Sequence, residues 1–228
     1  DTLWVGTSQG IYNIQNKIVT VPFSESSFIA KHVFDFFIDP TSSFLWIATD
    51  SGIYRFNQKN KVLKHLSHVP YKNVSKFFSI KLDKFGYFWM SSNQGIFRIQ
   101  AELINQYLDG NLENLKYDFF DESNGMLSKQ ANGRSMPATW LDSNGEFWVA
   151  TATGATRTQT KDILSYAPQP IKVLFESLEI DQELRPLTEN LILEPSVKHF
   201  KIRYSGVNLT SSERTNYRVR LSGYNDRW

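Results

Sequence analysis

Hydrophobic positions along this chain recur in one short pattern, and long helical periodicities are rare. Each copy contains an apolar residue, a tryptophan, a run of small residues, a glycine six positions after the tryptophan, and further apolar residues. The four copies occupy residues 3–12, 45–54, 88–97 and 147–156. Short apolar segments with period-two alternation, bounded by turn-forming residues, predict antiparallel strands joined by tight connections.

The second copy contains a complete unit of this kind. Strands are predicted over residues 33–38, 45–48, 53–56 and 61–66, and the last of these is the most polar. Gly52 lies in the tight connection between the second and third strands, where glycine adopts positive φ without a steric penalty. The pattern therefore predicts four-stranded antiparallel units.

The tryptophans of the four copies set the spacing of these units. Trp4, Trp46, Trp89 and Trp148 lie 42, 43 and 59 residues apart. A period of roughly 40–45 residues built from strands is typical of β-propeller blades. We therefore expect an all-β fold that contains a partial β-propeller of about four four-stranded blades, the first of them incomplete.

The longer third spacing contains a segment with a different periodicity. Residues 99–110 predict a short helix that ends at Gly110, with Leu103, Ile104 and Tyr107 on one side. We expect this helix to lie on the rim of the ring, and residues 115–120 to return as the outer strand of the third blade.

Two recurrent residue types have both a structural and a functional interpretation. Each repeat tryptophan can fill the space between neighbouring blades or stack on a ligand, and we expect the core role. Asp39, Asp83 and Asp142 each open the turn before a tryptophan strand. There the carboxylate can accept backbone N–H groups two residues on, which we expect, or bind a metal ion.

Composition excludes several classes of function. The 228-residue chain is 41% hydrophobic and 14% aromatic and has a formal net charge of +2, which indicates a packed globular protein without a basic surface for nucleic acid. No apolar run approaches the roughly 18 residues that cross a bilayer. The absence of cysteine excludes disulfides, thiolate metal sites and thiol catalysis.

The sequence gives no catalytic residues, no metal site and no cofactor motif. His65 and His68 are three residues apart on a strand and its loop, and no third ligand lies near them in the sequence. Asp121 and Glu122 form an acidic pair that we interpret as a solvated loop rather than as catalytic carboxylates. Phosphate-binding and dinucleotide-binding loops are also absent from the sequence.

Candidate ligand-binding residues follow from the predicted architecture. Propellers bind ligands at one face of the ring, where the loops between strands gather. Amide and charged groups beside aromatic rings suit sugar hydroxyls, and the alternative for each residue is an ordinary surface loop. The candidates at this face are Gln9, Asp50, Asn93, Gln94, Lys129, Asn132 and Arg134.

Several segments resemble a known family of sensor proteins. Residues 45–56, preceded by an aspartate turn, resemble the two-component-regulator propeller repeat (Reg_prop), and residues 121–128 resemble the loop between its blades. Residues 166–173 are similar to the proline-marked link that follows such propellers. Residues 200–209 and 217–228 resemble the Y_Y_Y module, an immunoglobulin-like β-sandwich. We therefore expect a partial propeller over residues 1–166 and an incomplete sandwich over 167–228, both excerpts of a longer protein.

The resemblance implies a function that the residues alone do not give. It implies the periplasmic, ligand-sensing region of a bacterial receptor anchored in the inner membrane, with a histidine kinase or GGDEF diguanylate cyclase as its output. The ligand would be a small molecule, for which an oligosaccharide is a candidate, and the full protein would dimerise through the sandwich. A propeller enzyme of the lyase or glycan-cleaving type and a protein-binding scaffold remain alternatives.

Overall fold

The computed structural model describes residues 2–69, 74–165, 171–186, 191–207, 217 and 219–223. The chain divides into two compact units, Asp1–Tyr166 and Ala167–Trp228. None of the helices in the described ranges has the length and apolar character needed to cross a membrane.

The first unit contains fourteen strands and one α-helix among its described residues. In chain order these are β1 (Leu3–Thr7), β2 (Gly10–Gln15), β3 (Ile18–Thr20), β4 (Val33–Ile38), β5 (Phe44–Thr49), β6 (Gly52–Asn57), β7 (Leu63–Leu66), β8 (Phe77–Leu82), β9 (Tyr87–Ser92), β10 (Ile96–Gln100), α1 (Ala101–Leu108), β11 (Asp118–Phe120), β12 (Thr139–Leu141), β13 (Glu146–Thr151) and β14 (Gly154–Gln159). Short 3₁₀ helices span Glu122–Asn124 and Asp162–Ser165.

These strands form four antiparallel sheets that follow one another along the chain. Sheet 1 contains β1–β3, sheet 2 contains β4–β7, sheet 3 contains β8–β11 and sheet 4 contains β12–β14, with sequential neighbours paired in each. The prediction of an all-β fold is confirmed, and no described sheet closes on itself. Sheet 4 has three strands in the described residues instead of the expected four, because the chain enters the 3₁₀ helix Asp162–Ser165 after β14.

Two of the repeat tryptophans occupy the core between consecutive sheets. Trp46 is fully buried and its ring centroid lies 4.7 Å from that of Phe88 in sheet 3. Trp89 is equally buried and lies 5.1 Å from Phe147 in sheet 4. Each ring therefore packs against the sheet that follows its own, and burial of such a large apolar surface stabilises the contact.

The core interpretation is wrong for Trp148. Its side chain is 38% exposed, and among the described residues no further sheet packs against it. Its indole Nε1 donates to Glu146 at 3.2 Å, and the Arg157 guanidinium lies 5.6 Å from its ring. Trp4 is intermediate, half-buried between Phe23 and Phe56.

The aspartates before the tryptophan strands stabilise turns. Asp39 accepts the backbone N–H of Thr41 at 2.8 Å, and Asp83 accepts that of Phe85 at 2.9 Å, as the two-residue offset predicts. Asp142 differs, since its carboxylate accepts the N–H of Glu146, four residues on, at 2.7 Å.

Helix α1 packs against the core of sheets 2 and 3, and its position on the rim of a ring stays a prediction. Ile104 is fully buried, and Leu103 and Tyr107 pack against the apolar cluster of sheets 2 and 3. The buried Arg55 guanidinium of β6 donates to the Asn105 side chain at 2.6 Å and forms an ion pair with Asp109. The helix ends as predicted, with Gly110 at φ +80°.

The second unit contains one described sheet, ordered β16-β15-β17. Its strands are β15 (Lys172–Ile180), β16 (Glu183–Arg185) and β17 (Phe200–Val207). Leu178 is buried, whereas Phe175 and Phe200 are exposed, and no second layer is present in the described ranges of this unit.

Residues 217 and 219–223, the described part of the second segment that resembles the Y_Y_Y module, form no strand. Tyr217 and residues 219–221 have no strand pairing, and Ser222 and Gly223 form a turn. Tyr217 nevertheless contacts β17, because its hydroxyl accepts the Gly206 N–H at 2.6 Å. Residues 208, 209, 218 and 224–228, which carry the rest of the Y_Y_Y resemblance, lie outside the described residues.

Candidate functional site

The turns that follow the four tryptophan strands share one construction. In each turn a hydroxyl three residues after the tryptophan donates to the carbonyl of the repeat glycine, and that glycine has a positive φ. The donor and acceptor pairs are Thr7 and Gly10 at 3.0 Å, Thr49 and Gly52 at 2.7 Å, Ser92 and Gly95 at 2.8 Å, and Thr151 and Gly154 at 2.8 Å. The two intervening residues therefore form the tip of the turn at the same end of every sheet.

A cleft of about 660 Å³ lies where the turn tips of sheets 2, 3 and 4 meet. Four of the seven predicted ligand-binding residues line this cleft: Asp50, Asn93, Asn132 and Arg134. The other lining residues are His32, Phe34, Lys76, Phe78, Gln130, Ala131, Gly133 and Ala152.

The remaining three predicted residues lie elsewhere. Gln9 lines a different cavity, of about 630 Å³, beside sheets 1 and 2. Gln94 is the second residue of its turn, and Lys129 precedes the lining segment, so neither side chain lines the cleft. Binding by all seven residues stays a prediction.

Two phenylalanines that sequence reasoning missed contribute the aromatic part of the cleft. The pairing of β4 with β5 skips Phe34, and the pairing of β8 with β9 skips Phe78, so each ring lies at a β-bulge in an equivalent position. A bulge redirects its extra residue away from the regular alternation of the strand. The two rings meet edge to face, 5.1 Å apart at 88°, and His32 stacks on Phe34 at 6.1 Å.

Residues 130–134 form the polar side of the cleft and connect sheets 3 and 4. Ala131 donates its N–H to Ser92 of sheet 3 at 3.1 Å, and Asn132 donates its N–H to Ala150 of sheet 4 at 2.9 Å. Gly133 lies so close to Phe78 that an added Cβ would be 2.2 Å from the ring. We call residues 130–134 the bridging loop.

Side-chain hydrogen bonds join the first strands of sheets 2, 3 and 4, which are β4, β8 and β12. The Asp35 carboxylate of β4 accepts the backbone N–H of Ile80 at 3.2 Å and the Lys81 ammonium at 2.5 Å, both from β8. Ser79 of β8 and Thr139 of β12 share a hydrogen bond between their hydroxyls. These contacts fix the relative positions of three strands, two of which carry the cleft residues Phe34 and Phe78.

Asp50 has a structural task within the cleft. One carboxylate oxygen accepts the backbone N–H groups of Lys31 and His32, both at 3.1 Å, and the other lies 3.2 Å from His32 Nδ1. The carboxylate therefore holds the segment that leads into β4. Among the described residues that line the cleft, Asp50 is the one carboxylate, whereas most glycoside hydrolases use a pair of carboxyl groups that flank the scissile bond.

The other groups considered as catalytic or metal-binding candidates are engaged in local structure. His65 Nε2 lies 2.7 Å from the Ser51 carbonyl and its ring stacks on Tyr54; burial lowers the pKa of His65, and the hydrogen bond to Ser51 opposes that shift. In the described ranges, no group of three or more histidine, aspartate or glutamate side chains lies close enough to bind a metal ion.

The interpretation of Asp121 and Glu122 as a solvated pair is wrong for Asp121. Asp121 is buried and caps the 3₁₀ helix Glu122–Asn124, because its carboxylate accepts the Ser123 N–H at 2.9 Å. Glu122 is exposed and accepts the Lys129 N–H at 2.8 Å.

Comparison with known proteins gives structural neighbours only. No protein-family model matches the chain, and no curated protein matches it. The fold is similar to the extracellular domain of BT3049 from B. thetaiotaomicron, a protein assigned to the hybrid two-component systems, with a TM-score of 0.63 and 16% identity over 92% of this chain.

Two further neighbours are more distant. The extracellular domain of BT4673 from the same organism gives a TM-score of 0.49 with 17% identity over 81% of this chain. PorZ, a surface component of the type-IX secretion system of Porphyromonas gingivalis, gives 0.41 with 14% identity over 91%. The chain spans 28%, 22% and 43% of the lengths of these three proteins. At these identities, the likeness to BT3049 shows the fold alone.

Proposed function

We propose that this chain belongs to the extracytoplasmic sensor region of a bacterial signalling protein and binds a small ligand in the cleft between sheets 2, 3 and 4. The observation that carries the proposal is the composition of the cleft. The bulged ring of Phe34, packed against the buried ring of Phe78, provides an apolar surface, and the amide residues Asn93, Gln130 and Asn132 line the same cleft. Ligand sites commonly combine an apolar surface with a few placed polar groups.

An oligosaccharide suits this arrangement. A sugar ring offers an apolar face that packs against an aromatic side chain, and its hydroxyls both donate and accept hydrogen bonds, as amide groups do. Binding, rather than catalysis, is the proposed activity, since Asp50 is already engaged by backbone donors.

The finer architecture belongs to the same proposal. Sheets 1–4 would be blades of a partial β-propeller over residues 1–166, and residues 167–228 would be part of an immunoglobulin-like sandwich. Four sequential antiparallel sheets support the first part, since two of them have four strands and each of these two has a tryptophan that faces the next sheet. The resemblance of residues 200–209 and 217–228 to the Y_Y_Y module supports the second.

The remaining elements of the proposal follow from the sensor interpretation. The neighbour BT3049 is described as an extracellular domain of a hybrid two-component system, and residues 45–56 resemble the propeller repeat of such receptors. On that basis we propose that this region is periplasmic and that the whole protein is anchored in the inner membrane. We also propose that it dimerises through the sandwich and has a kinase or diguanylate cyclase output.

Calorimetric titration with a panel of neutral and charged oligosaccharides tests the function. We expect at least one class to bind, and we expect Asn93→Ala to weaken that binding by roughly tenfold because a hydrogen bond contributes about 1 kcal/mol or slightly more. Asn144→Ala is the matched control, since Asn144 is an exposed asparagine in the turn between β12 and β13 and does not line the cleft. Equal losses in both variants, or no binding across the panel, would refute the proposal.

A further inference from the structure

We infer that the ligand of this cleft carries a negatively charged group, a carboxylate or a sulfate, which Lys76 and Arg134 bind. This inference rests on the proposed function and specifies the ligand of the same site. Both side chains line the cleft and both residues are exposed. A cationic pair in a ligand site recognises an anion through charge-assisted hydrogen bonds.

The charge balance of the cleft favours an anion. Its formal charges are the two cations, Lys76 and Arg134, and the single carboxylate of Asp50. That carboxylate already accepts two backbone N–H groups and faces the His32 ring at 3.2 Å. The Asp50 carboxylate is therefore occupied by the segment that precedes β4. No described carboxylate forms an ion pair with Lys76 or Arg134.

Arg134 differs from the other arginines of the first unit. Arg55 pairs with Asp109, Arg98 pairs with Asp118 at 2.7 Å, and Arg157 pairs with Glu146 at 2.8 Å. These three arginines all lie nine residues after a repeat tryptophan, opposite it in the neighbouring strand. Arg134 lies outside that repeat position, and its guanidinium has no carboxylate partner among the described residues, so its charge is available to a ligand.

Both cationic residues lie near Phe78, Lys76 along the chain and Arg134 through the bridging loop. Lys76 lies two residues before Phe78, and Arg134 follows Gly133, which contacts the Phe78 ring. The bridging loop is fixed to sheets 3 and 4 by the backbone bonds of Ala131 and Asn132. A sugar ring packed on the half-buried Phe34, whose ring contacts that of Phe78, would therefore lie in the same cleft as the Lys76 ammonium and the Arg134 guanidinium. The planar guanidinium binds a carboxylate or sulfate through two parallel bonds.

Matched ligands separate this inference from the proposed function. The full chain is titrated calorimetrically with a neutral oligosaccharide, a uronic-acid oligosaccharide and a sulfated oligosaccharide of the same length, at low and moderate ionic strength. We expect an acidic ligand to bind at least tenfold more tightly than the neutral one and to lose affinity as salt rises. The uronate and sulfate arms show which anion is recognised.

Charge-removing variants assign the effect to the two residues. Lys76→Gln and Arg134→Gln should each weaken binding of the acidic ligand about tenfold and reduce its salt dependence. Lys59→Gln is the control, because it removes the same charge from an exposed turn at Asn57–Asn60, away from the cleft.

The possible results are distinguishable. Preference for the neutral ligand, or acidic binding that is insensitive to Lys76→Gln and Arg134→Gln, would overturn the inference while leaving the cleft as a ligand site. If no oligosaccharide of any charge binds, the proposed function fails, and the inference fails with it. Equal loss of affinity in Lys59→Gln would indicate a long-range charge effect and would also overturn it.

Discussion

Gly133 lies against the Phe78 ring, where there is no space for a Cβ. A Cβ at position 133 would lie 2.2 Å from Phe78 Cδ1, and Phe78 is confined by the Phe34 ring and is only 9% exposed. Overpacking of a confined site typically costs about 1–3 kcal/mol. We therefore expect Gly133→Ala to lower the free energy of unfolding by roughly that amount, measured by urea denaturation with tryptophan fluorescence.

A second variant shows whether the Phe78 ring is the cause. In a Phe78→Leu background the smaller side chain leaves space for the added methyl group, so Gly133→Ala should cost about 1 kcal/mol less than in the parent chain. This difference is the coupling energy of the double-mutant cycle. An identical cost in both backgrounds would mean that the close contact with Phe78 does not limit position 133.

Residue identity predicted the polar part of the site better than the aromatic part. Asp50 and Asn93 were predicted because a repeat with fixed spacing places its turns at one end of every sheet. Phe34 and Phe78 were missed because an aromatic residue in an apolar strand usually belongs to the core. A signal was present, since Phe77 and Phe78 are consecutive apolar residues that break period-two alternation where the bulge occurs.

At the scale of elements, α1 is held to sheet 2 by the Arg55 side chain as well as by its apolar side. The Arg55 side chain is only 5% exposed, and it reaches Asn105 and the carboxylate of Asp109 at the end of the helix. Removal of Asp109 leaves a buried cation with one remaining side-chain partner. Because the Asp109 side chain is itself 41% exposed, we expect Asp109→Ala to lower the free energy of unfolding by about 1–3 kcal/mol.

An acidic residue in the first turn of α1 provides the control. Glu102→Ala removes an exposed carboxylate whose partner, Gln106, is also on the surface, and such substitutions usually change stability by no more than about 0.5 kcal/mol. The comparison is made by urea denaturation of the two variants. A cost for Asp109→Ala no larger than that of Glu102→Ala would show that the Arg55 contact does not stabilise the helix.

The elements were predictable where a local rule applied and were missed where distant segments meet. Strands β4–β6 and β8–β10 followed from alternation and from the turn glycine. In the bridging loop Asn132 and Arg134 were predicted as ligand-binding residues, but its backbone hydrogen bonds to Ser92 and Ala150 were not, because they join residues far apart in the sequence. A backbone hydrogen bond between such segments leaves no mark on side-chain composition.

In the first unit, the repeat tryptophan of sheet 4 should stabilise the fold less than those of sheets 2 and 3. Trp46 and Trp89 are fully buried against the following sheets, whereas Trp148 is 38% exposed and contacts Glu146 and Arg157 of its own sheet. Deletion of a buried tryptophan side chain typically costs about 3–5 kcal/mol. A partly exposed ring under an exposed guanidinium contributes about 0.5–1 kcal/mol through that cation–π contact.

The three alanine variants therefore form a graded series in the same chain. We expect Trp46→Ala and Trp89→Ala to lower the free energy of unfolding by about 3–5 kcal/mol, and Trp148→Ala to cost less than half as much, measured by urea denaturation with circular dichroism because each variant loses a fluorophore. Light scattering on the parent chain accompanies the series. A monomer in which Trp148→Ala is as costly as Trp89→Ala would contradict the exposed position of Trp148. If the chain self-associates and Trp148→Ala is equally costly, the Trp148 side of sheet 4 would instead contact a second copy, because Trp46 and Trp89 each face the next sheet in the same way.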